Sequence, residues 1–202
     1  GSDLDIEIPA ASNLTVSTVS ADTGVTNVLG ALDLQSVSGD IKTEAFDKDL
    51  KLRTVSGDVG VRGHRGSAAL SVVTVSGNLD ARDTGGEANA TSVSGDLNLR
   101  LASVTRSRLR TTSGDITMST QLASGGSIDS ESVSGDISLR LSGARDAQYD
   151  LATSTGDISN CFGPEPVSHR YGPGAELKFR EGAGSANLSA KTLSGDISLC
   201  KD

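Results

Sequence analysis

At 202 residues the chain fits one extended domain, and no shift of composition divides it in two. Large side chains are scarce, with no Trp, two Tyr and three Phe against 24 Gly, which excludes a bulky globular centre and leaves a thin core of Val, Ile, Leu and Ala. The net charge of -8 argues against a nucleic-acid partner, because phosphate binding requires clustered Lys and Arg.

No run approaches the ~20 apolar residues of a membrane span, and no secretory leader is legible. Gly1-Ser2 reads as an expression remnant, so that absence carries little weight. Asp3 to Ile8 alternates acid and aliphatic, which predicts a half-buried lead-in strand, ended by Pro9, within an N-terminal segment 1–13.

From Leu14 onward one pentapeptide recurs. Ser36-Val37-Ser38-Gly39-Asp40 returns at Thr54–Asp58, Thr74–Asn78 and Ser92–Asp96, with looser copies at Thr111–Asp115, Ser132–Asp136, Thr153–Asp157 and Thr192–Asp196. A worn copy, Ser20-Ala21-Asp22, precedes them. Counted on the Gly (Ala21 in the first copy), the steps are 18, 18, 20, 18, 19, 21, 21 and 39 residues. Self-similarity at this period marks a repeat architecture.

Side-chain alternation gives an expected fold for one repeat. Ile41, Val59, Leu79, Leu97, Ile116, Ile137, Ile158 and Ile197 lie two after each Gly, and Val37, Val55, Val75, Val93, Val133 and Leu193 lie two before it. Counted along one strand, both sets and the Gly face inward, while the flanking hydroxyls and the Asp face out. A second set, such as Leu32/Leu34 and Leu50/Leu52, is out of phase with the Val, which calls for a bulge or corner between them. Gly30, Ala68, Gly86 and Gly126 supply another turn. Two or three short strands per repeat follow, and no helix.

The fold expected is therefore all-β, a single-domain parallel β-helix (β-solenoid) over 14–202. It has about nine or ten coils of about 18–21 residues, successive repeats stacked ~4.8 Å apart. Drifting coil lengths favour the right-handed form over the strict three-hexad left-handed one.

The 39-residue step holds Pro164, Pro166 and Pro173 and reads as a Pro/Gly-rich irregular segment near 161–175. It is either one coil with a surface excursion or a concealed worn coil in which Ala175-Glu176-Leu177-Lys178-Phe179 replaces the motif. Cys161 and Cys200 each lie five after their Gly. On adjacent coils they are within disulfide reach, which implies an oxidising compartment; with a coil between them they are unbonded thiols.

Tandem [S/T]-V-S-G-D-[I/V/L] units at this spacing, closing with Gly182–Gly184 and Leu193-Ser194-Gly195-Asp196-Ile197, resemble the bacterial β-strand-repeat family of proposed adhesins, long labelled a domain of unknown function. The resemblance runs from about Leu14 onward. It implies a parallel β-helix on the exported side, periplasmic or at the cell surface, and it supplies no catalytic residues and no cofactor.

Three polar rows are candidates for chemistry. The Asp row is the first: Asp22, Asp40, Asp58, Asp96, Asp115, Asp136, Asp157 and Asp196, interrupted by Asn78. Carboxylates stacked at ~4.8 Å repel by ~0.9 kcal/mol even in water. Either cations bridge them, with Asp40, Asp58, Asp96, Asp115, Asp136 and Asp157 as ligands, or backbone N–H groups bond them at a turn, which is the favoured reading. Second, the Ser/Thr row could meet ice or glycan, although cross-strand hydroxyl bonding explains it more simply. Third, Arg62, Arg82, Arg100 and Arg140 lie five after their Gly. β-Helical polysaccharide lyases pair Asp-bound Ca²⁺ with a basic residue, but here each Arg is ~13 Å along the strand from its own Asp, so solvation and edge protection are expected. His64 and His169 read as surface residues, and no P-loop, zinc spacing or nucleophile elbow occurs.

A non-enzymatic structural or adhesive module follows, with no catalytic residue, cofactor or metal, binding a protein or glycan surface through its long faces. A lyase-type β-helix enzyme and a scaffold self-associating end to end through exposed strand edges are the alternatives.

Overall fold

The computed structural model describes residues 4–64, 69–143, 146–168 and 173–201; Gly1-Ser2, Ala68 and His169 lie outside them. The described residues are all-β and contain no helix. Seven short strands come first: β1 (Leu14–Ser17), β2 (Thr23–Val25), β3 (Leu32–Gln35), β4 (Ile41–Ala45), β5 (Leu50–Arg53), β6 (Val59–Gly63) and β7 (Ala69–Val73). Then β8 (Leu79–Thr91), β9 (Leu97–Thr111) and β10 (Ile116–Ser134) each run from one motif to the next. The remainder are β11 (Ile137–Ser142), β12 (Ala147–Thr155), β13 (Ile158–Asn160), β14 (Val167–Ser168), β15 (Ala175–Glu181), β16 (Ala186–Ser194) and β17 (Ile197–Lys201).

Pairings resolve these strands into the two faces of a parallel β-solenoid. Ahead of the motif, β1 pairs with β3, β3 with β5, β5 with β7 and β7 with the second half of β8. After the motif, β2 pairs with β4, β4 with β6 and β6 with the first half of β8. β8, β9 and β10 extend both faces in parallel register. Leu32, Leu34, Leu50, Leu52, Leu70 and Val72 from one face meet Ile41, Val59, Leu79, Leu97 and Ile116 from the other in one continuous core. Each such side chain, fully buried, contributes about 1.5–3 kcal/mol, and a core two side chains thick has no room for more aromatics.

The parity expected through the motif fails at one place. Val37, Val55, Val75, Val93 and Val133 are 42–48 % exposed, while Ser36, Thr54, Thr74, Ser92 and Ser132 ahead of them are buried. The reason is local. The Ser36 hydroxyl accepts the Gly39 N–H at 2.9 Å, which closes a tight turn between residues that a continuous strand would hold apart. The inward phase of Leu32 and Leu34 therefore passes to Ser36, the corner throws Val37 and Ser38 outward, and Gly39 and Ile41 resume the inward phase.

Two further expectations are corrected. Residues 4–13 form no strand, and Leu4 and Ile6 are 82 % and 71 % exposed. Alternation makes a strand only where a sheet receives it, and no strand among the described residues pairs with this segment. The repeats also do not stack wholly in chain order. β16 lies between β10 and β12, and β17 lies between β11 and β13, all in parallel. The last coil is thus inserted between the two that precede it in sequence.

β15 is neither a worn coil nor a loose excursion. It runs antiparallel along the far edge of β12, from Ala147↔Glu181 to Thr153↔Ala175, and β14 runs antiparallel to β15. Tyr149 stacks on Phe179 at 4.4 Å, with Phe162 edge-on to both. This cluster closes one end of the core. Asp146 anchors the return turn by accepting the Gly184 N–H at 2.5 Å; the Ser185 hydroxyl and that N–H hold its carboxyl below the usual range.

Candidate functional site

The recurring motif accounts for nearly all of its own residues. Its first hydroxyl is the corner acceptor, bonded by the Gly N–H at 2.8–3.1 Å in five copies from Ser36 to Thr111. Its second hydroxyl donates to the carbonyl of the Val one coil back, as Ser38 does to Val19 and Ser56 to Val37. The Gly is required by contact: a Cβ on Gly57, Gly77 or Gly95 would be driven into the carbonyl oxygen of the preceding Gly. Ala21 is tolerated because no motif copy lies beneath it.

The Asp row is bonded from end to end. Asp40 N–H donates to Asp22 Oδ1, and the pattern continues through Asp58, Asn78, Asp96, Asp115, Asp136, Asp196 and Asp157 at 2.8–3.0 Å. Each carboxylate but that of Asp157, at the end of the row, receives a backbone N–H from the next coil, which offsets the repulsion between neighbours. Asn78 has the same acceptor oxygen and serves in the same place, so the position demands an acceptor rather than a charge. Among the described residues no group of three or more His, Cys, Asp or Glu side chains converges as metal ligands would.

Cys161 and Cys200 share a phase on adjacent coils and are disulfide-bonded, with Cα atoms 4.8 Å apart. No coil separates them, because β17 pairs directly with β13, as the adjacent-coil reading expects. His64 is exposed; its ring stacks on Phe46 at 4.4 Å and lies 3.7 Å from Glu44. The Arg row forms on the face after the motif, through the registers Arg62↔Arg82, Arg82↔Arg100, Arg100↔Ser119 and Ser119↔Arg140.

That leaves the valine. Val19, Val37, Val55, Val75, Val93, Val133 and Leu193 are 42–71 % exposed and stand one per coil along the corner, with Thr112 in the same row. At ~4.8 Å per coil the row is an apolar ridge ~34 Å long. Beside it runs a shallow groove lined by Arg110, Thr112, Glu131, Val133, Lys191 and Leu193, in which Arg110 Nε pairs with Glu131 at 2.9 Å. The sequence concealed this row because each Val sits at an even spacing from its Gly. The turn bond marks the change of side in the copies from Ser36 to Thr111, whereas Ser132 and Thr192 donate instead to the carbonyls of Gly114 and Gly135 on the neighbouring coil.

A family model, Toastrack DUF4097, matches residues 1–125 and again 86–200. The chain belongs to the Toastrack DUF4097 family. The two overlapping matches fit a Toastrack domain built from one repeat whose copies are interchangeable in register. It is a domain of unknown function with a β-solenoid-like fold. No curated protein and no solved structure gives a significant match.

Proposed function

We propose that this Toastrack chain is a non-catalytic, exported binding module that docks a protein along the valine ridge, with adhesion as its biological use. The observation that carries the reading is the row from Val19 to Leu193, the one column of the motif to which the fold gives no internal partner. Contiguous exposed apolar surface of this kind marks interaction sites, and a rigid solenoid presents it at fixed spacing. The Cys161–Cys200 disulfide supports an oxidising compartment. Docking along the side rather than the ends is favoured by the antiparallel cap, which covers one end. Catalysis has no support in the motif, because its Asp and hydroxyl rows are spent on backbone bonds.

A photo-crosslinking residue at position 75, expressed in the native cell, tests this. The expected result is one discrete protein adduct that disappears when Val55 and Val93 are replaced by Ser. Absence of an adduct, or an equal yield from position 51 on the flat face, would contradict the proposal.

A further inference from the structure

The Arg row supports a second, separate binding site. Arg82 is held by Asp80, with both bonds at 2.7 Å, and the carboxyl of Asp80 is lowered by that contact first and by the charge of Arg100 as well. Arg62, Arg100 and Arg140 are exposed and form no ion pair among the described residues, although Arg100 lies close enough to Asp80 for its charge to act on that carboxyl. Between Arg100 and Arg140 the row carries the short Ser119, so the two guanidiniums flank a gap about two strand spacings wide, ~10 Å. That gap is a groove of about 500 Å³ walled by Arg100 and Arg140, with Asn98, Thr117 and Ser119 along it; Asp80, whose carboxylate is bonded by Arg82, also lines it.

From Gly60 to Arg140, Asp80 is the one carboxylate among the outward positions of these two rows: Gly60, Asp80, Asn98, Thr117 and Ser138, and Arg62, Arg82, Arg100, Ser119 and Arg140. The surface is thus basic along one line of a chain whose net charge is -8. Planar guanidiniums recognise carboxylate and sulfate oxygens through paired N–H bonds. The neighbouring row offers hydroxyl and amide groups, and the Asp row runs parallel to the Arg row about four residues away, ~13 Å.

We infer that this face binds a linear anionic glycan, with its carboxylate or sulfate groups toward Arg100 and Arg140 and its hydroxyls toward Asn98, Thr117 and Ser138. The lateral order of charges selects this ligand over a nucleic acid. A polymer with phosphates on both sides would set one of them against the Asp row, and no aromatic side chain lines the groove to stack a base. A glycan charged along one edge meets the basic row with one side and the hydroxyl row with the other. Arg62 and Arg82 prolong the contact over five coils, ~19 Å.

Titration of the intact chain at low ionic strength with polygalacturonate, dextran sulfate, neutral dextran and oligo(dT) tests the assignment. Saturable binding of at least one anionic glycan is expected, weakening as salt is raised. Which of the two binds distinguishes carboxylate from sulfate. Arg100→Ala and Arg140→Ala should each weaken binding about tenfold, and Ser119→Glu, which places a carboxylate between the two guanidiniums, should weaken it at least as much. All three positions lie at the surface, so an unchanged melting temperature will show that the variants are folded. Failure of both anionic glycans to bind, equal binding of neutral dextran, tighter binding of oligo(dT), or variants within about twofold of the parent would each overturn the assignment. None of these outcomes bears on the valine ridge, which lies along a different line of the coil.

Discussion

The stretch from Leu14 to Ser134 and the stretch from Ile137 to Lys201 use one repeat under two rules. In the first, spatial order follows chain order, each coil resting on the one before it. In the second, once β11 has stacked on β10, the chain steps past one position and lays down β12 and β13. It then turns back through antiparallel β15 and fills the gap with β16 and β17. A chain that simply stopped would leave a full row of unpaired N–H and C=O groups. The overshoot lets an antiparallel strand and three aromatic rings occupy that edge instead. The Gly and Asp columns run unbroken through the inserted coil, since Gly195 rests on Gly135 and Gly156 on Gly195. The repeat therefore specifies which surfaces can meet, and the loops specify the order in which they do.

The comparison breaks first at the glycine column. Gly77→Ala is expected to cost at least about 4 kcal/mol or to prevent folding, because the obstructing atom is backbone that cannot move alone. Gly24→Ala in β2, with open space around it, should stay within about 0.5 kcal/mol of the parent. Urea unfolding of both variants measures this, and equal losses would remove the close-contact explanation.

Loss of the disulfide comes next. Its sequence separation of 39 residues corresponds to about 4 kcal/mol of loop-closure stabilisation, so the Cys161→Ser/Cys200→Ser variant should fall by about that amount or somewhat less. Hydrogen exchange should place the loss in β12–β17 and leave β3–β7 protected. Uniform loss along the chain would mean that the two stretches are not distinct.

A smaller effect is expected at the Asp row. Asp96→Ala strips the Asp115 N–H of its acceptor and should cost about 1 kcal/mol. Asp96→Asn keeps the oxygen, as Asn78 does, and should be close to neutral in thermal unfolding. Equal costs would show that charge matters there.

The smallest effect belongs to the return turn. Asp146 has a lowered carboxyl pKa in the folded chain, so its contribution is complete above the unfolded value of about 3.9. That contribution is lost as pH falls through the folded value. Exchange at Gly184 and Ser185 should quicken in that acid window, and Asp146→Asn should abolish the pH dependence. Acid sensitivity unchanged in the variant would assign it to another group.

Much of the fold was legible because Ile41, Val59, Leu79 and their equivalents sit at one offset from a Gly, a pattern that only stacked strands satisfy. The disulfide was legible for the same reason, as a shared phase of Cys161 and Cys200. The facing of Val37 and Val75 was not, since alternation counted through Gly assumes an extended chain and the Ser36–Gly39 turn is a local hydrogen bond without a periodic signature. Nor was the insertion of the last coil. Nearly identical repeats fit one another in any order, and the choice rests on β15, whose Ala175-Glu176-Leu177-Lys178-Phe179 alternates like any other strand and carries no mark of its antiparallel direction.

The outward valine supports the proposed function, and cysteine accessibility tests it directly. The described residues contain no free thiol, so a Val75→Cys and a Thr74→Cys variant each add a single reporter. Maleimide should label position 75 rapidly in the native state, while position 74, 1 % exposed in the parent, stays protected until the chain is unfolded. Rapid labelling at 74 with protection at 75 would return the valines to the core and remove the ridge.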